Sequence, residues 1–180
     1  MRLLFLFLAA GLLLSGCSSN DTPTSKESAV SLTVPDSCEI AEVVAAFDEQ
    51  VEGSAYVPTD WQPAEGTDLE SALSAGGLAC SYGIQVAEVG GTILWAPASD
   101  ELWATRSADW IKFGQSAMDL EGFEEDAAFI KQDGTSADEM HVWTINLLID
   151  GMWIQVSATF LQTVEEANPI IQAAIEAAKF

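Results

Sequence analysis

The chain has 180 residues, with 28 acidic side chains against six basic ones and a formal net charge of −22. That balance argues against nucleic acid as a partner, since such binding rests on Lys and Arg neutralising phosphates, and against close docking on anionic lipid headgroups. A single histidine and the lack of any Cys-x-x-Cys leave little material for metal sites or nucleophile–base pairs, and no cofactor is expected.

Met1-Arg2 precedes an uncharged run from Leu3 to Leu14. A cationic start and a short apolar core are the parts of a secretory signal peptide. At about a dozen residues the run is too short to span a bilayer, which needs roughly 20. Leu14-Ser15-Gly16-Cys17 directly follows and resembles a bacterial lipobox. The resemblance implies cleavage after Gly16 and diacylglyceryl transfer to the Cys17 thiol, which anchors the protein to the extracytoplasmic face of the cell membrane. Two acyl chains meet the condition for stable anchoring that one does not. Residues 1–16 are thus read as a signal peptide, and residues 17–34 as lipidated cysteine and tether. The polar stretch after Cys17 has almost nothing to bury, and as a flexible linker it would reach roughly 20 Å.

Residues 35–180 form one domain of about 145 residues, enough for a single core. Once lipid takes Cys17, Cys38 and Cys80 remain. An even pair in an oxidising compartment predicts one disulfide, with two reduced thiols or a metal pair as alternatives. The loop it closes is about 43 residues, for which chain entropy gives at most about 4 kcal/mol.

Asp36-Ser37-Cys38-Glu39 has the form of a capping box, and Ile40, Val43, Val44, Phe47 and Val51 follow at helical spacing. Ser54 to Gly66 reads as irregular, broken by Pro58 and Pro63. Thr67-Asp68-Leu69-Glu70 opens a second, short helix that stops at Gly76-Gly77. From Leu78 to Val89 the period changes to strand alternation, with a turn expected at Gly90-Gly91 and a return strand from Thr92. Ser99 caps a helix bearing Leu102, Trp103 and Trp110, extending toward Met118. Asp119 to Gln132 fits either a short strand or a frayed helix. Asp150-Gly151 marks a type I′ hairpin between Met140 and Leu161. Its register puts Trp143, Ile145, Leu147 and Ile149 with Met152, Ile154, Val156 and Ala158 on one face. The other face then pairs Asn146 with Gln155, Thr144 with Ser157 and Val142 with Thr159. Asn168-Pro169 starts a last helix whose Ile170, Ile171, Ala174, Ile175 and Ala178 form a stripe. The expected fold is α+β: an antiparallel sheet of four to five strands, built from two hairpins and packed by flanking helices.

The cysteine-opened helix, the Gly-Gly-Leu-Ala-Cys strand start at Gly76–Cys80 and the late hairpin over a glycine turn are similar to small actinobacterial-type envelope lipoproteins with a sensor-like, disulfide-bearing domain. Tyr82 departs from that pattern, which often has Trp after the second cysteine. The resemblance implies fold and supplies no catalytic residue. His141 reads as a strand-end histidine, and Glu124-Glu125-Asp126 as a solvated run. Of the six tryptophans, Trp95, Trp143, Trp103 and Trp110 read as core. Trp61 in the irregular loop and Trp153 on the polar hairpin face, beside Asn146 and Gln155, form a candidate partner surface; a helix packed on that face would explain Trp153 equally well. The functional expectation is a non-enzymatic, membrane-anchored binding, sensor-like or accessory module contacting an envelope protein or small ligand. A carbohydrate-binding protein or carboxylate-dependent hydrolase is the alternative.

Overall fold

A computed structural model of the protein describes residues 31–134 and 141–179. The signal segment, the lipobox with Cys17, the tether up to Val30 and Met140 lie outside the described residues. The packed chain begins within the stretch read as tether. Leu32 is buried and bridges Lys179, and the Thr33 amide donates to the Ala178 carbonyl at 2.7 Å.

The sheet is antiparallel but has seven strands, not four to five, in the order β1-β2-β3-β7-β6-β5-β4. Its strands are β1 (Ala55–Val57), β2 (Leu78–Ile84), β3 (Val89–Pro97), β4 (Ser116–Ala117), β5 (Ala127–Asp133), β6 (Val142–Ile149) and β7 (Met152–Ala158). The helices are α1 (Ala41–Gln50), α2 (Asp68–Ser74), α3 (Asp100–Lys112) and α4 (Asn168–Ala177). The extra strands are the two- and three-residue edges β1 and β4, together with β5 from the ambiguous stretch. The two expected hairpins join through β3 and β7 to form the centre of the sheet.

The late hairpin has the expected register, pairing Ile149 with Met152, Asn146 with Gln155 and Thr144 with Ser157. Asp150 and Gly151 turn at φ 48° and 75°, as a type I′ loop requires. The early hairpin turns sooner than expected. Its turn is Gln85–Glu88, with Glu88 left-handed at φ 54°, and Gly90-Gly91 lie inside β3. Gly90 sits opposite Gly83, which takes φ 145°. A Cβ on either would run into the partner strand's backbone, so these glycines serve close approach and not the turn.

The helix starts divide by their local chemistry. Thr67 and Ser99 cap α2 and α3 as expected, accepting from the Glu70 and Leu102 amides at 3.2 Å each. The capping box at Asp36 does not form, because α1 begins only at Ala41 behind Ile40. Cys38 is held elsewhere: it is disulfide-bonded to Cys80 on β2, and its carbonyl accepts the Tyr82 hydroxyl at 2.9 Å. On the C-terminal side, α3 ends at Lys112, short of Met118, and the chain turns at Gly114 with φ 89°.

Helices α1 and α4 pack on one sheet face. Val43 and Phe47 from α1 and Ile170, Ile171 and Ala174 from α4 are buried against Tyr82, Ile93, Trp95, Ile145, Ile154 and Val156. The Phe47 and Tyr82 rings stack at 5.0 Å. The Trp95 indole donates to the Ala174 carbonyl at 2.9 Å, which satisfies its only polar atom inside the core. Helices α2 and α3 lie over the opposite face.

Two outcomes follow for stability. Cys38→Ser and Cys80→Ser should each lower the unfolding free energy by up to about 4 kcal/mol, and the double variant by little more than either single. Denaturant titration checks this, and additive losses would deny the bond. Burial, reinforced by neighbouring Tyr56, pushes the Tyr82 pKa above its ordinary value. The unfolded chain therefore releases this proton first. The contribution is intact below about pH 10 and is lost as pH rises beyond it. Urea midpoints compared across that range should fall, and Tyr82→Phe should shrink the fall.

Candidate functional site

The face under α2 and α3 contains every residue proposed as a partner surface. Trp153 and Asn146 are fully buried, and Gln155 is 7% exposed. They are a second core and not an exposed surface. Trp61 is half-buried, and its indole donates to the Ala79 carbonyl at 2.8 Å, which pins the loop onto β2. Trp110 packs on Trp153 at 5.4 Å, on Trp103 at 5.0 Å and on Phe129 at 5.6 Å. The helix with tryptophans to bury and the sheet face with a stranded tryptophan are thus each other's partners.

Polar groups inside this core are joined into one network. The Gln155 amide nitrogen donates to Asp68 Oδ2 at 2.7 Å and to Asn146 Oδ1 at 2.8 Å. The Trp153 indole also donates to Asn146 Oδ1, at 2.9 Å, while Asn146 donates to Gln115 Oε1 at 2.9 Å. Asp68 accepts the Trp110 indole at 2.9 Å and the Arg106 Nε at 2.9 Å, and Arg106 Nη2 lies 2.7 Å from the same oxygen. Arg106 reaches on to the Gly66 carbonyl at 3.1 Å and to Asp109 at 3.2 Å. Asp68 occupies the first position of α2, where its charge also suits the helix dipole. Neither Asp68 nor Arg106 was singled out from the sequence. The available signal was a lone arginine on the same helix stripe as two tryptophans.

The roof covers only part of the face. Beyond it runs a row of short hydroxyl side chains, in register across four strands: Ser81 opposite Thr92, Thr92 opposite Ser157, and Ser157 opposite Thr144. Thr59 extends the row, donating to Ser81 at 3.0 Å. All four strand residues are half-buried. Three of them, Ser81, Thr92 and Ser157, line a shallow groove of about 360 Å³ together with Thr59, Thr159 and Gly83. Among the described residues, Glu88 is its only charged lining residue. Neighbouring strands set the hydroxyls roughly 4.8 Å apart, a spacing suited to successive hydrogen bonds along an uncharged ligand.

The other residues considered for chemistry have structural tasks. Glu125 Oε1 accepts the Leu120 amide at 2.6 Å, and Asp126 accepts the Asp150 amide at 3.0 Å, so two acids of the 124–126 run fasten loops. A hydrogen bond from Lys179 holds the exposed Glu176 carboxyl below the usual carboxylate range; a backbone hydrogen bond at Glu165 lowers that group. His141 is half-buried at the entry to β6. Among the described residues, no three His, Cys, Asp or Glu side chains gather as a metal site, and no helix is long and apolar enough to cross a membrane. The chain matches no known family model and no curated protein.

Asp68→Ala should cost about 3 kcal/mol, because it strands a buried guanidinium. Combining it with Arg106→Met should recover part of that loss. A double-mutant cycle by denaturant unfolding reads the coupling, and additive losses would show that the pair is independent.

Proposed function

We propose that this protein is a non-enzymatic binding module of the cell envelope, tethered through Cys17 to the extracytoplasmic face of the membrane. Its open hydroxyl strip is the contact surface for an uncharged, hydroxyl-bearing ligand such as a neutral glycan. The observation that carries this reading is the strip itself: four in-register, half-buried Ser and Thr residues, three of which line an open groove. Hydroxyls both donate and accept, so a row of them matches a ligand of the same chemistry, and the net charge of −22 disfavours anionic ligands. Asp68 supports the non-enzymatic reading, because its oxygens are engaged by Arg106, Trp110 and Gln155. The Cys38–Cys80 disulfide suits an oxidising compartment, as the lipid anchor requires.

The test has two arms. Cys17→Ser should move the protein from the membrane fraction to the soluble fraction; retention in the membrane would count against the anchor. Titration of isotope-labelled protein with neutral oligosaccharides should shift the amides of Ser81, Thr92 and Ser157, and Thr92→Val should weaken binding by about tenfold. Shifts confined to other surfaces, or none, would remove the strip as the contact surface.

A further inference from the structure

The opposite side of the sheet has a second concavity, where α1 passes beside the edge strand β1. It is an open groove of about 700 Å³. Its apolar part is Ala41, Val44 and Ala45 of α1 facing Tyr56 of β1, and the exposed carboxylates Glu39 and Asp48 stand along it. Its strand wall is an edge: β1 pairs with β2 alone, so one side of its backbone has no strand partner among the described residues.

The walls are fixed in advance. The Cys38–Cys80 bond and the Tyr82 hydroxyl bond to the Cys38 carbonyl fasten the segment leading into α1 onto β2. Phe47 stacks on Tyr82, and Tyr56 lies 6.1 Å from the same ring. At the far end, Asp48 accepts the Gly53 amide at 2.7 Å and closes the turn from α1 to β1. A groove built this rigidly loses little entropy when something enters it.

Its charge selects the occupant. Helix α1 exposes Glu42, Asp48 and Glu49 and contains no basic residue. Of the described cations, Arg106 and Lys112 belong to α3 and Lys131 to β5, while Lys179 is paired with Glu176. An apolar floor between carboxylates suits Lys or Arg, whose aliphatic stems can lie on Val44 and Tyr56 while their heads reach Glu39 and Asp48. An added strand presents alternate residues to one face, so main-chain bonds to β1 would set every second side chain over this groove. We infer that the groove receives an extended, basic segment of a partner protein, added along β1 as an eighth strand with Lys or Arg at alternate positions. This site lies on the other side of the sheet from the hydroxyl strip and stands whether or not that strip binds a glycan.

The experiment uses the isotope-labelled full chain in neutral detergent, titrated with the probe peptide acetyl-(Lys-Val)₃-amide and its (Glu-Val)₃ counterpart. The basic peptide should shift the amides of Ser54 to Val57 and of α1 around Ala45, and the acidic peptide should shift none. Glu39→Lys, which breaks no hydrogen bond described above, and Ala45→Trp, which fills the groove from an exposed position, should each weaken binding by about tenfold. Glu101→Lys, the same charge change on exposed α3, should leave it within about twofold. Equal weakening by Glu39→Lys and Glu101→Lys would overturn the inference in favour of diffuse charge attraction. Shifts located elsewhere, or no binding of the basic peptide, would also overturn it.

Discussion

One carboxylate organises half of this molecule. Asp68 begins α2, accepts from Arg106 and Trp110 of α3, and accepts from Gln155 at the centre of β7. It therefore joins three elements whose sequence positions span 87 residues. Without such a bond, the buried amides of Asn146 and Gln155 would oppose any apolar cover, since an unpaired buried amide costs about 1–3 kcal/mol. With it, the same amides fix where the two helices sit. Buried ionic pairs often add no more stability than well-packed apolar residues of the same size. What this one supplies is registry, because Trp110, Trp153 and Asp68 meet in one arrangement of α2 and α3 on the sheet.

The position of that network explains what was readable in the sequence. The register of the late hairpin was legible because its information is local: alternation, a two-residue turn, and an apolar set that a one-residue slip would expose. The stripes of α1 and α4 and the cap of α2 were legible for the same reason. β1 and β4 were not, because three and two residues carry no period of their own and take extended form only through a neighbour. The turn at Gln85–Glu88 was misplaced because glycine has two uses. A Gly-Gly pair marks a turn or a close approach of strands, and only the partner strand tells which.

The candidate surface failed for a more instructive reason. Asn146, Gln155 and Trp153 fit either a partner surface or a face covered by a helix, and the structure has the cover. Taking a polar strand face as a wet one neglects polar groups satisfied within the protein. Trp103 and Trp110 needed an apolar face to cover, Trp153 needed a cover, and Arg106 needed an acid. Trp103 and Trp110 were visible as core residues, but the solution through Arg106 and Asp68 was not, because nothing local to Gln155 points to Asp68. The row beside it, Ser81 to Thr144, has the same alternation and is only half-buried. The two rows differ in where α2 and α3 end, which strand periodicity does not encode.

Charge then bears on the whole domain. Among the described residues, the salt bridges engage Asp68, Asp109, Asp133 and Glu176, leaving most of the acids to repel one another across the surface. Self-repulsion of this kind disfavours compactness and is relieved by salt. The covalent tie at Cys38–Cys80 acts against it where it matters most, since α1 carries acids along its exposed side and no compensating cation. A helix under such repulsion has reason to leave the sheet, and the disulfide holds the segment that leads into it. The same bond that stabilises the fold therefore keeps an acidic groove open beside an unpaired strand edge. In an unstapled helix that groove would fluctuate, and a partner would bear the cost of ordering it.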